Sequence, residues 1–120
     1  YSPCALGADL NGEAIPQLAC AAVVGSANNQ LAEPADAQRL TARGILYAPD
    51  FVVNAGGIIN IAAEAGGYSP EKSNIMVDRI HDNLREIFRT SVELGISTEE
   101  AAERFAETRI EAAKSQGDES

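Results

Sequence analysis

Two short apolar runs limit what this chain can become. CAAVVGSA begins at Cys20, and ILYA covers residues 45 to 48. Neither alternates polar with apolar, and continuous runs of this length suit strands buried on both faces. Between them, residues 35 to 43 carry a helical pattern that Gly44 can close. Strand, helix, strand in that order predicts parallel strands joined by a crossover helix.

The rest of the chain extends the alternation. Residues 1 to 5 have the character of a strand entering a loop at CALG. Asn11 can cap a short helix to about Leu18, with Glu13 in its first turn. Pro49 and Asp50 open a helix expected to reach about Ala65, where Gly66 and Gly67 close it. Ser69 at the cap and Pro70 at the first helical position start the longest helix, which Gly95 ends after Leu94. Val77, Ile80, Leu84, Ile87, Phe88 and Leu94 recur along it at helical spacing. STEE at 97 to 100 offers Ser97 and Glu100 as a capping box for a last helix to about Ala113, followed by a frayed SQGDES. The prediction is an α/β fold of about three short parallel strands with flanking helices and a helical C-terminal tail. So small a sheet would leave edges exposed, as half of a doubly wound domain would.

With 120 residues, 45% of them apolar, the chain has the size and content of one ordinary domain. It has no Trp, so alanine and branched aliphatics must fill most of the core. The net charge of −9 argues against nucleic acid and against an anionic membrane surface as partners. Two cysteines make no disulfide framework, and a reducing, cytoplasmic setting is expected. No His or Cys cluster suggests a metal, and no apolar run approaches the ~20 residues of a membrane span. There is no initiator Met and no signal-peptide pattern; a fragment of a longer protein is the expectation.

Ligands of an open parallel sheet bind beyond the C-terminal ends of its strands. PCALG, SANNQ and APDFVVNAGG fall at those ends here. They supply small residues and amides suited to an uncharged polar ligand, but no carboxylate pair, general base or nucleophile. Asn54, Gly57, Ile58 and Ile61 share one helical face: an amide, a gap and two bulky aliphatics. Gly56 and Gly57 each cost roughly 0.5–1 kcal/mol inside a helix relative to Ala, which suggests something passing close to the backbone. Tight helix–sheet packing would explain the glycines equally well, and a turn would explain Asn28 and Asn29. His81, the one histidine, is expected on the surface, and Lys72 and Lys114 as solvated side chains. Cys4 is expected to pack as a small apolar residue, since no basic neighbour would lower its pKa.

PCALGADLN, VVGSANNQL, GILYAPDFVVNAGGIIN and the arginine-rich helical tail resemble the amino-acid dehydrogenases of the Glu/Leu/Phe/Val family, most of all those acting on leucine or valine. The resemblance runs to about residue 112 with the motifs in order. It implies a partial Rossmann-type domain, with residues 1–68 as the second half of the dinucleotide-binding sheet. Residues 69–115 would be a helical pair packed on it, and 116–120 a frayed tail. It implies NAD as cofactor and oxidative deamination of an L-amino acid to the 2-oxo acid and ammonia. Ala5, Leu6 and Gly7 would line the cofactor. Asn28 would serve both cofactor and substrate, Asn29 would help position its loop beside the substrate, and Asn54 would bind the nicotinamide carboxamide. Ile58 and Ile61 would line the substrate side-chain pocket, which speaks against a glutamate-specific relative.

The family's catalytic lysines lie in an upstream domain, and no glycine triplet with G-x-G-x-x-G spacing follows a strand here. No catalytic residue is therefore expected in this chain, which alone should be inactive. The missing N-terminal part of the same enzyme and further copies of the chain would be its partners. The competing expectation is a non-catalytic Rossmann-like binding or interaction module, in which Asn28 and Asn54 would not converge.

Overall fold

A computed structural model of the chain describes residues 1–4, 7–54 and 69–117. Strand β1 (Ala22–Val23) and strand β2 (Leu46–Tyr47) pair in parallel, Ala22 opposite Leu46 and Val23 opposite Tyr47. Helix α1 (Ala35–Ala42) connects them, as the two apolar runs demand. Its end follows from Gly44, whose φ of +67° suits a residue without a side chain.

Among the described residues two strands are defined, and residues 1–4, where a strand was expected over 1–5, belong to neither. Tyr1 nevertheless lies along β1. Its terminal amine donates to the Ala22 carbonyl, and its own carbonyl accepts from Val24 N–H, both at 3.0 Å. Pro3 then accepts from Ala27 N–H at 3.0 Å. A further parallel bridge joins Leu10 to Leu31.

The helix expected from Asn11 to Leu18 is corrected to a turn and a 3-10 helix at Ile15–Gln17. Asn11 caps as expected, its side-chain oxygen accepting from Glu13 and Ala14 N–H. Pro16 then offers no N–H and its ring disfavours a continuing α-helix, so one tight turn is all that forms.

Helix α2 begins at Asp50 and is described as Asp50–Val53. The expected continuation to Ala65, with Gly56, Gly57, Ile58 and Ile61, lies outside the described residues. Helix α3 (Pro70–Leu94) has Ser69 at its N-cap and Gly95, at φ +65°, at its C-cap, both as expected. Helix α4 (Thr98–Gly117) folds back along it. Ser97 Oγ accepts from Glu100 N–H at 3.1 Å, while the Glu100 carboxylate pairs with Arg104, so the capping box is half formed. The helix runs past Ala113, where fraying was expected; the Ser115 hydroxyl bonds back to the Ala112 carbonyl.

Among the described residues the core has two parts. Leu10, Ile15, Val23, Leu40, Ile45 and Tyr47 pack under the sheet. Ile87, Ala101 and Ala102 form the second cluster, with Val52, Phe88, Ile96 and Phe105 around it. In the α3 stripe Ile87 is buried and Ile80, Leu84 and Phe88 are half-buried. Val77 and Leu94 are exposed. Thr98 Oγ1 donates to the Tyr47 carbonyl at 2.6 Å inside the protein, docking the start of α4 on the end of β2.

Candidate functional site

Because β1 and β2 are parallel, the segments leaving them emerge at one edge. Val24 to Gln30 leaves β1; Ala48 to Asp50 leaves β2 and enters α2. The Asn54 side-chain amine donates to the Asn28 side-chain oxygen, joining residues 26 apart in sequence. Asn28 is exposed and Asn54 half-buried. An amide used this way keeps other capacity. Among the described residues, Asn28 Nδ2 retains donors and Asn54 Oδ1 an acceptor with no protein partner.

The loop holding Asn28 is tightly determined. Gln30 is fully buried, and its side-chain amine donates to the Gly25 and Ala27 carbonyls, each at 2.9 Å. Asn29 sits at φ +51°, a conformation asparagine tolerates better than most residues. Its carbonyl accepts from Ala8 N–H at 2.7 Å. Gly7 leaves no room for a side chain: a Cβ there would stand 2.8 Å from the Asn29 carbonyl oxygen and 2.9 Å from that of Asn28. Gly7 and the Asn28 loop therefore lie backbone to backbone. Ala5 and Leu6 lie outside the described residues, as do Ile58 and Ile61.

Asn29 lines a different surface. With Glu33, Asp50, Phe51, Glu99 and Glu103 it borders an open acidic hollow of about 330 Å³. Glu99 stands in the first turn of α4, and one of its carboxylate oxygens is enclosed without a hydrogen-bond partner among the described residues. Burial above all, then the Asp50 and Glu103 carboxylates, push its pKa up to about 7. Burial and the Asp50 and Glu99 charges push the Tyr47 phenol upward as well.

A carboxyl whose folded pKa lies above its ordinary 4.5 holds its proton better in the folded chain. Its stabilising effect is complete below that ordinary value and is lost as pH rises through about 7. Glu99→Gln should therefore be more stable than the parent at about pH 8, by about 1 kcal/mol once solvent screening is allowed for. The difference should nearly vanish by about pH 4, below the ordinary 4.5 of this group. Denaturant unfolding at both pH values checks this, and an unchanged midpoint at the higher pH would count against it.

Cys4 requires a correction. Its thiol is exposed, within 3.2 Å of Ser2 Oγ. That hydrogen bond, with others from the Ser26 backbone and side chain, pulls its pKa down to about 7. Hydroxyl and amide donors do here what a basic neighbour was expected to be needed for. His81 is a surface residue as expected, 3.7 Å from the Asp82 carboxylate. Lys72 and Lys114 are exposed.

Two residues of the site went unrecognised in the sequence. Asp50 was legible as a first-turn helix acid, but its carboxylate accepts from Gln30 N–H at 2.8 Å. Gln30 looked like one more polar loop residue, and nothing local marks it as the buried centre of that loop.

The family model for glutamate/leucine/phenylalanine/valine dehydrogenase matches residues 1–117. Leucine dehydrogenase of Bacillus cereus is 47% identical over 114 residues, 95% of this chain and 31% of the relative. L-tryptophan dehydrogenase of Nostoc punctiforme is 49% identical over 115 residues, 95% of this chain and 33% of the relative. A crystal structure of L-tryptophan dehydrogenase from Nostoc punctiforme superposes with a TM-score of 0.89 at 47% identity, covering 94% of this chain and 35% of that one. The chain thus spans about a third of the length of these relatives. A match this long, with the amide-bearing loops at one sheet edge, makes the chain a member of the glutamate/leucine/phenylalanine/valine dehydrogenase family.

Proposed function

We propose that these 120 residues form the C-terminal part of the coenzyme-binding, Rossmann-type domain of a longer, cytoplasmic, NAD-dependent L-amino-acid dehydrogenase. The observation that carries the reading is the Asn28–Asn54 pair. It presents an amide donor and an amide acceptor side by side, the complement of a primary carboxamide such as that of nicotinamide. A non-catalytic module would have no need to bring these two side chains together.

The residues fit the coenzyme in a second respect. Gly7 has no Cβ to push the Asn28 loop away, so the loops meet closely enough for a flat ligand to lie across both. A bound NAD would supply the hydride acceptor for the substrate carbon that carries the amino group. This chain's part is to orient: Asn54 and Asn28 hold the carboxamide, Asn28 also reaches the substrate amino group, and Ala5, Leu6 and Gly7 border the coenzyme. Ile58 and Ile61 meet the substrate side chain and favour leucine or valine, and Asn29 shapes the loop. The match to an L-tryptophan dehydrogenase makes tryptophan the natural comparison substrate. Proton transfer falls to lysines outside this chain, so the 120 residues alone should not turn over amino acids. In the assembled enzyme the N-terminal part and further copies of the subunit are this chain's partners.

Asn54→Ala in the full-length dehydrogenase tests the reading. Loss of one such hydrogen bond should raise the coenzyme KM about tenfold. Circular dichroism should show folding retained, since Asn54 is half-buried. Unchanged coenzyme affinity would remove Asn54 from the site.

A further inference from the structure

We propose that Asp50 is the positioning residue that brings the two carboxamides together. The inference rests on the reading above for its consequence in catalysis, but not for its geometry. Asp50 is bonded to both sides of the site. Its carboxylate accepts from Gln30 N–H at 2.8 Å, two residues beyond Asn28. Its main-chain carbonyl accepts from Asn54 N–H at 3.0 Å, closing the turn that carries Asn54.

The two contacts differ in strength from the contact they align. The Asn28–Asn54 bond is exposed and competes with water, so by itself it holds little. The bond from Gln30 N–H ends on a charge and is partly buried, which makes it the stronger of the two. Gln30 is also a firm anchor. Its side chain ties down Gly25 and Ala27, and its carbonyl accepts from Leu10 N–H at 3.0 Å. A loop fixed at Gln30 and a helix turn fixed at Asp50 hold the amides of Asn28 and Asn54 within reach of each other. A carboxylate is also favoured at this place, in the first turn of a helix.

The test has two arms. In the 120-residue chain, the side-chain amide resonances of Asn54 report the pair, and Asn28→Ala marks where the unpaired amide resonates. Asp50→Ala should move the Asn54 resonances to that unpaired position, while Asp50→Asn, which keeps an acceptor oxygen in place, should hold them. Should Asp50→Ala unfold the chain, Asp50→Glu displaces the oxygen by one methylene and should move the resonances instead. Resonances unmoved in whichever of these two variants folds overturn the proposal.

In the full-length dehydrogenase, Asp50→Ala should raise the coenzyme KM about fivefold or more, with Asp50→Asn restoring it to within about twofold. Because Asp50 acts through the pair, Asp50→Ala added to Asn54→Ala should change the KM by less than about twofold. Multiplied losses in the double variant would show separate, merely structural action and overturn the proposal. If Asn54→Ala leaves the coenzyme KM unchanged while the Asp50 variants move the Asn54 resonances, the coenzyme reading fails and the positioning role stands.

Discussion

Gly25→Ala should cost about 3 kcal/mol of stability or more, the effect of forcing an atom into space already filled by backbone. A Cβ at residue 25 would stand 2.1 Å from the Pro3 carbonyl oxygen and 2.7 Å from the Pro3 nitrogen and Cδ. None of these atoms can swing aside as the end of a long side chain would. The Pro3 carbonyl also accepts from Ala27 N–H, so moving it breaks the ties between the N-terminal segment and the β1 loop. The damage should reach the site, since the Gly25 carbonyl is one of the two held by Gln30. Gly12→Ala is the control. Its Cβ would meet only the Arg39 guanidinium, at 3.7 Å, and should change stability by less than about 0.5 kcal/mol. Denaturant unfolding of the two variants decides the matter. Equal midpoints for both would mean that the Pro3–Gly25 approach is looser than described.

Leu40→Ala should cost about 2–5 kcal/mol, the range for deleting a buried leucine side chain. Leu40 is completely buried among Ile15, Val23, Ile45 and Tyr47, where α1 meets the sheet. The spread of that range reflects how far the surroundings collapse into the gap. Collapse is limited here, because the Leu40 carbonyl accepts from Ile45 N–H at 3.0 Å and ties the end of α1 to the approach to β2. Against a total of about 5–15 kcal/mol for an ordinary domain, such a loss is large. Val92→Ala, at a residue 83% exposed, should stay within about 0.5 kcal/mol. A Leu40 variant with a midpoint close to that of the parent would show that α1 is not part of one cooperative core.

Much of the scaffold could be read before any coordinate was known, because its signals are local. The caps at Asn11, Ser69 and Ser97 and the left-handed stops at Gly44 and Gly95 depend on a few neighbouring residues. The apolar runs at β1 and β2 and the helix between them depend on periodicity alone. Two of the misses were local competitions. Pro16 outweighed the cap at Asn11, and α4 continued past Ala113 because nothing in the next residues stops a helix before Gly117.

By itself the sequence determined that β1, α1, β2, α3 and α4 form, where most of them start and stop, and which amides stand at the ends of strands. Each of these is set by interactions within about one helical turn. Only the tertiary structure decided that Asn28 meets Asn54, that Asp50 grips Gln30, and that Gly25 must stay bare for Pro3. It also decided that Ser2 and Ser26 lower the Cys4 thiol and that Glu99 is pushed up beside Asp50. Apart from Ser2 and Cys4, these partners lie 20 to about fifty residues apart. Their distances are fixed by how the helices pack on the sheet, and no local pattern encodes that packing.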